Sequence, residues 1–174
     1  MNTQGKSVLY AIVTGSSRAP EISDLVDLAQ DDGWEVCLVA SPAARGFIDT
    51  EHLEAKTGWP VRSNYKQPGT PDLLPPADAM IVAPLTCNST TKWAAGISDT
   101  LPLGMLIEAL GYRKPIVAVP YSSEAQMSFP PIQEALTKLA TYGVAIVPSQ
   151  QGNPLPLAEA WRALQSHPWL AGLG

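Results

Sequence analysis

Five apolar runs rich in β-branched residues recur along this chain, each closed by a turn or a cluster of small residues. They constrain the fold more than any other feature. Val8 to Val13, Val36 to Ala40, Ala79 to Ala83, Ile116 to Val119 and Val144 to Val147 read as strands. Most show no polar alternation, so both faces are covered, as in a parallel sheet sandwiched between helices. Helical patterns lie between them. Ile22, Leu25, Val26 and Ala29 share one helical face, and Gly33 ends that helix. Further helices are expected over Thr90 to Ala95, Leu101 to Leu110, Pro131 to Tyr142 and Leu155 to Gln165. The proline-bearing segment from Arg62 to Pro76 reads as a long loop. The β-α alternation predicts an α/β, three-layer Rossmann-like (flavodoxin-like) parallel sheet with helices on both faces. With 174 residues, no internal repeat and no second composition, residues 1–174 read as one domain.

Charge and composition then exclude several functions. A formal net charge of −5 argues against nucleic acid and anionic membranes as partners. No apolar run approaches the roughly 20 residues that cross a bilayer. The segment Met1 to Lys6 lacks the core of a signal peptide, which predicts a cytoplasmic protein. Cys37 and Cys87 form no C-x-x-C pair, and His52 and His167 lack ligand spacing, so no disulfide framework and no metal are expected.

Parallel sheets bind ligands beyond the carboxyl ends of their strands. The first strand ends in Thr14-Gly15-Ser16-Ser17. Backbone amides at a helix start, with small hydroxyl side chains, suit a phosphate, and the absence of G-x-G-x-x-G and of a Walker lysine favours a mononucleotide. The same turn also serves as an ordinary strand-to-helix connection. Ser41, after the second strand, caps a helix and is a second phosphate donor. The third strand runs into Pro84-Leu85-Thr86-Cys87-Asn88-Ser89, followed by Gly96-Ile97-Ser98-Asp99-Thr100-Leu101. The fourth runs into Pro120-Tyr121-Ser122-Ser123-Glu124-Ala125-Gln126-Met127, with Pro130 ten residues after Pro120.

The stretch Pro84 to Ser89 resembles the PASANT motif of the homo-oligomeric flavin-containing cysteine decarboxylases, and Gly96 to Leu101 resembles that family's G-I-x-D-N-L stretch. Pro84, Asn88, Gly96, Ile97, Asp99 and Leu101 match it residue for residue. Pro120 to Met127 falls where the family has P-x-M-N-x-x-M-W, and Gln133 and Leu136 match the helix that follows. The resemblance covers about Val8 to Pro148. It implies FMN as cofactor, with Gly15, Ser16, Ser17 and Ser41 near its phosphate. Pro84, Leu85, Thr86, Cys87, Asn88, Ser89 and Asp99 are implied around the ring and ribityl chain. It also implies a trimer or trimer-based homo-oligomer and a cysteine-ending peptide as substrate. Oxidation of that cysteine gives a thioaldehyde-like electron sink, from which carbon dioxide departs.

Several positions depart from the family. Its catalytic histidine falls fourteen residues before the PASANT proline, at Thr70 here. Its substrate-binding asparagine is Ser123, its closing tryptophan is Met127, and Ser149 to Asn153 replaces its clamp or cysteine-bearing flap. Asn88, Ser123 and Thr70 are therefore the candidate catalytic positions. Cys87 reads as a small packing residue, Lys92 and Arg113 as surface charges, and His52 as a solvated helix position. Trp93 walls the flavin pocket or packs at a subunit contact; Tyr121 and Ser122 reach substrate or shape a loop. The His167-Pro168-Trp169 tail docks or frays. A flavin-binding subunit without decarboxylase activity is the alternative function, and transfer chemistry like that of the flavin prenyltransferases a weaker one.

Overall fold

A computed structural model describes residues 5–170. The reading of the chain's first four residues lies outside the described residues. Strands β1 (Val8–Val13), β2 (Glu35–Ala40), β3 (Ala79–Leu85), β4 (Ile116–Pro120) and β5 (Ala145–Ile146) pair in parallel, in the order β2-β1-β3-β4-β5. The helices are α1 (Ile22–Asp31), α2 (Thr50–Thr57), α3 (Cys87–Ala94), α4 (Leu101–Gly111), α5 (Glu124–Met127), α6 (Pro130–Thr141) and α7 (Leu157–Gln165). This is the expected three-layer architecture, with the sequence direction reversing between β1 and β3.

Strand period 2 divides the core in two. Leu9, Ala11 and Val13 of β1 pack with Ile22, Leu25 and Ala29 of α1 and with Trp161 and Leu164 of α7. Val8, Tyr10 and Ile12 point the other way, into the cluster with Trp93 of α3, Leu103 and Leu106 of α4 and Leu139 of α6. Both faces are therefore dry, which is why the strands carry continuous apolar runs.

Boundaries moved where tertiary contacts intervene. Helix α3 starts at Cys87, not Thr90, because the Ser122 hydroxyl beyond β4 accepts the Cys87 N–H at 3.1 Å and caps the helix from another element. The last strand is shorter than expected. Val144 turns its N–H back to Leu139, and Pro148 has none to continue the ladder after the Val147–Ala118 bond. Gly33 sits at φ +81 past α1 as expected. Helix α5 was not anticipated; Ser123 caps it by accepting the Gln126 N–H. His52 is exposed on α2. The Arg62 to Pro76 loop adds a single bridge, with the Ala40 N–H donating to Arg62 and the Arg62 N–H to Leu38 along the outer edge of β2.

Two buried groups give the core a pH limit. Burial pushes the Cys37 thiol up to about 12, with the Glu35 charge adding to it. Burial likewise raises the Tyr10 phenol to about 12, with Cys37 adding, Arg62 opposing and Asp72 adding. Above the ordinary value of 9.0 for a cysteine and 10.0 for a tyrosine the unfolded chain releases protons that the folded chain keeps, so stability falls as pH rises. The expected loss is about 1 kcal/mol from Cys37 between pH 9 and 10, and about 2 kcal/mol per pH unit above pH 10 once Tyr10 joins. Urea unfolding midpoints measured across this range check it, and a Cys37→Ala slope equal to wild type between pH 9 and 10 would rule the cysteine out.

Candidate functional site

The carboxyl ends of β1, β2, β3 and β4 open into one cavity of about 650 Å³. It lies at the point where the strand order reverses, the usual ligand crevice of such sheets. Thr14 joins the two strands flanking that point. Its hydroxyl donates to the Pro84 carbonyl at 2.7 Å and accepts the Thr86 N–H at 2.9 Å.

Gly15 follows Thr14 and presses against the loop after β2. A Cβ there would sit 2.8 Å from the Ala43 Cβ and 3.2 Å from the Ala43 carbonyl carbon, so the position takes only glycine without displacement. Beyond it Ser16 accepts the Arg18 N–H. Ser41 begins the Pro42–Gly46 turn, its hydroxyl accepting the Ala44 N–H at 3.2 Å. The two serine-bearing turns thus face one volume, held together by the Gly15–Ala43 contact.

Among the expected site residues, Gly15, Ser16, Ser17, Ser41, Thr86, Cys87, Asn88, Ser89 and Ser123 line the cavity. Four do not. Pro84 ends its role in β3, where its carbonyl takes the Thr14 bonds, and Leu85 is fully buried in the core on the α4 side. Asp99 is half exposed and pairs with Lys92. Thr70 lies on the exposed loop, both its N–H and its hydroxyl donating to the Gln67 carbonyl. The structure does not bring Thr70 to the other candidate catalytic residues within one chain.

Other lining residues were read differently or passed over. Lys92, taken for a surface charge, lines the cavity while bound to Asp99. Tyr121 and Ser122 do reach it. Gln126 and Gln151 line it too, from the Pro120–Met127 stretch and the Ser149–Asn153 segment, although neither was singled out as a site residue. Trp93 is buried in the α4-side core, its indole N–H without a partner. Cys87 is buried, its sulfur 4.0 Å from that of Met127. His167 is clasped in the fold, its Nε2 3.1 Å from the Gly143 carbonyl and its Nδ1 accepting the Trp169 N–H.

Among the described residues, no aspartate or glutamate lines the cavity, although the chain as a whole is acidic. Its rim is instead built from serine and threonine hydroxyls, the start of α3 and one lysine. That donor set suits a phosphate-bearing mononucleotide, whose anionic end needs hydrogen-bond donors and no carboxylate neighbour. Among the described residues there is no cluster of metal ligands, and no helix is long and apolar enough to cross a membrane.

The sequence profile of a family described as Flavoprotein matches residues 1–163. The chain is 30% identical over 155 residues to the probable phosphopantothenoylcysteine decarboxylase of Arabidopsis thaliana, covering 84% of this chain and 75% of that protein. It is 27% identical over 159 residues to the coenzyme A biosynthesis bifunctional protein CoaBC of Escherichia coli (strain K12). That match takes in 88% of this chain but spans only 38% of the bifunctional protein. The crystal structure of the FMN-dependent cysteine decarboxylase SpaF superposes with a TM-score of 0.75 at 23% identity, over 92% of this chain and 97% of that one.

Proposed function

Since this chain belongs to the Flavoprotein family, we propose that it holds FMN in the strand-end cavity and oxidatively decarboxylates the C-terminal cysteine of a peptide. The observation that carries this reading is the cavity itself: a donor-rich, carboxylate-free rim at the switch point, closed by the Gly15–Ala43 contact. The 30% identical relative named as a phosphopantothenoylcysteine decarboxylase and the fold shared with SpaF support cysteine as the group acted on. The reading takes residues 1–174 as one FMN-binding unit that works in the cytoplasm as a trimer-based homo-oligomer. Exposed Tyr65, Ile97 and Tyr112 around α4 support the assembly, as apolar area that a second copy would cover.

When bound, FMN supplies the two-electron acceptor for oxidation of the cysteine side chain. The chain's own residues bind and orient. Ser16, Ser17 and Ser41, with the amides beyond β1, would hold the phosphate. Thr86, Cys87, Asn88 and Ser89 would border the ring and ribityl chain, and Asn88 and Ser123 the substrate. Lys92 holds a positive charge at the cavity wall, where a substrate carboxylate would find its counter-ion.

One observation favours a second reading, an FMN-binding subunit without turnover. Among the described residues, no histidine, aspartate or glutamate, the commonest general bases, lines the cavity, and Ser123 is engaged with Gln126. An anaerobic titration separates the two. The FMN-loaded protein mixed with cysteine-ending peptides should bleach its flavin while the peptide loses carbon dioxide and two hydrogens. Oxidised flavin and unchanged mass across several such peptides would leave the non-catalytic subunit.

A further inference from the structure

Helix α3 ends in a reversal that folds the next segment back over its last turn. The Gly96 N–H donates to the Trp93 carbonyl and the Ile97 N–H to the Lys92 carbonyl, both at 2.9 Å, with Gly96 at φ +75. This left-handed glycine cap returns Asp99 to Lys92, with Nζ and Oδ2 2.5 Å apart. The return is fixed on both sides of Asp99, where the Tyr65 hydroxyl reaches the Ser98 and Thr100 carbonyls, 3.3 and 3.2 Å away. Gly104 leaves room for that phenol, since a Cβ there would lie 2.2 Å from its oxygen.

Among the described residues, Lys92 is the one cationic side chain that lines the cavity. Asp99 does not line it and is half exposed. The cavity's cation therefore comes with a carboxylate already bound to it. A substrate carboxylate that leaves as carbon dioxide is sensitive to this sharing. After FMN has taken two electrons from the cysteine, the Cα–carboxyl bond of the thioaldehyde breaks. Its electron pair becomes the second Cα–Cβ bond, the C=S π pair moves to sulfur, and carbon dioxide departs uncharged. Negative charge thus leaves the carboxyl group as the bond breaks. An unshared ammonium would stabilise the starting carboxylate more than the transition state and slow the step.

We propose that Asp99 is a positioning residue that holds Lys92 at the cavity wall and shares its charge, so that the substrate carboxylate is placed there without being over-stabilised. The inference rests on the decarboxylase reading and names the pair that sets its grip on the C-terminal carboxylate.

The test is calorimetric, on the FMN-loaded protein, with two unreactive ligands, N-acetyl-Gly-Gly-Ser and its C-terminal amide. Asp99→Asn should bind the acid about fivefold tighter and the amide as wild type does, the effect expected on freeing a partly exposed ion pair. Lys92→Met should weaken the acid alone, and adding Asp99→Asn to it should change nothing further. In anaerobic single turnover of N-acetyl-Gly-Gly-Cys, Asp99→Asn should slow carbon dioxide release about fivefold while flavin bleaching keeps its wild-type rate. A merely structural Asp99 would instead lower flavin content or move acid and amide together. An acid-to-amide ratio unchanged in either variant, or unchanged carbon dioxide release in Asp99→Asn, overturns the pairing while wild-type turnover upholds the decarboxylase reading. If wild type turns over no cysteine-ended peptide, that reading falls and the pairing with it.

Discussion

Gly15→Ala protein is expected to purify with its flavin largely lost. The new methyl meets the Ala43 Cβ at 2.8 Å and the Ala43 carbonyl carbon at 3.2 Å, against backbone that cannot swing away. Relief requires the turns after β1 and β2 to part, and those turns carry Ser16, Ser17 and Ser41. Overpacking of this kind costs about 1 to 3 kcal/mol. If that cost falls on the bound geometry, FMN affinity drops by about tenfold to a hundredfold. Gly46→Ala is the internal control, because nothing lies within 4 Å of a Cβ there. Ala43→Gly in the Gly15→Ala background should recover part of the loss by removing the opposing methyl. Flavin content and affinity measured by fluorescence quenching decide it: a Gly15→Ala protein that binds FMN as wild type would show that the phosphate turns do not depend on this contact.

The largest stability effect is expected at Trp161. This side chain of α7 is 4% exposed and meets Trp34 edge to face, ring centroids 5.5 Å apart. Its indole N–H donates to Asp32, which also accepts the Gln165 amide at 2.7 Å. Removing the indole leaves a cavity between α7 and α1 and costs about 3 to 5 kcal/mol. In a chain of this size that lowers the Tm by about 10 °C. Trp161→Phe keeps most of the volume and gives up the hydrogen bond, for about 1 kcal/mol. Urea unfolding of the flavin-free protein is the suitable measurement, since bound FMN shifts apparent stability by mass action. A Trp161→Ala protein within about 1 kcal/mol of wild type would mean that α7 docks by other contacts.

The strand runs and the longer helices were legible because burial on both faces leaves a continuous apolar signature at Val8 to Val13 or Ala79 to Ala83. The positions of Gly15, Ser16, Ser41 and Asn88 beyond strand ends followed from that pattern alone. What escaped depends on residues distant in sequence. The cap on α3 comes from Ser122, 35 residues away, so the sequence pattern starts this helix at Thr90 while Cys87, Asn88 and Ser89 already belong to it. The Gly15–Ala43 approach leaves no local trace. Lys92 has the composition of a surface residue, and only the placement of α3 turns it toward the cavity. Gln151 lines the cavity because its oxygen accepts the Glu124 N–H, 27 residues away, and its neighbour Gly152 is held by Arg18, 134 residues away.

The strand order also carries a consequence for how this protein is made. Neighbours in the sheet are never joined by a hairpin, and β1 needs β3 on its inner edge. On the ribosome β1, α1 and β2 emerge together and can pair, but β3 begins only at Ala79. Until then the inner edge of the nascent β1 presents unpaired backbone and apolar side chains, a template for joining another chain. The outer edge of β2 gains its Arg62 bridge well before that. The interval of synthesis between Arg62 and Leu85 is therefore when the growing chain most needs a chaperone's protection.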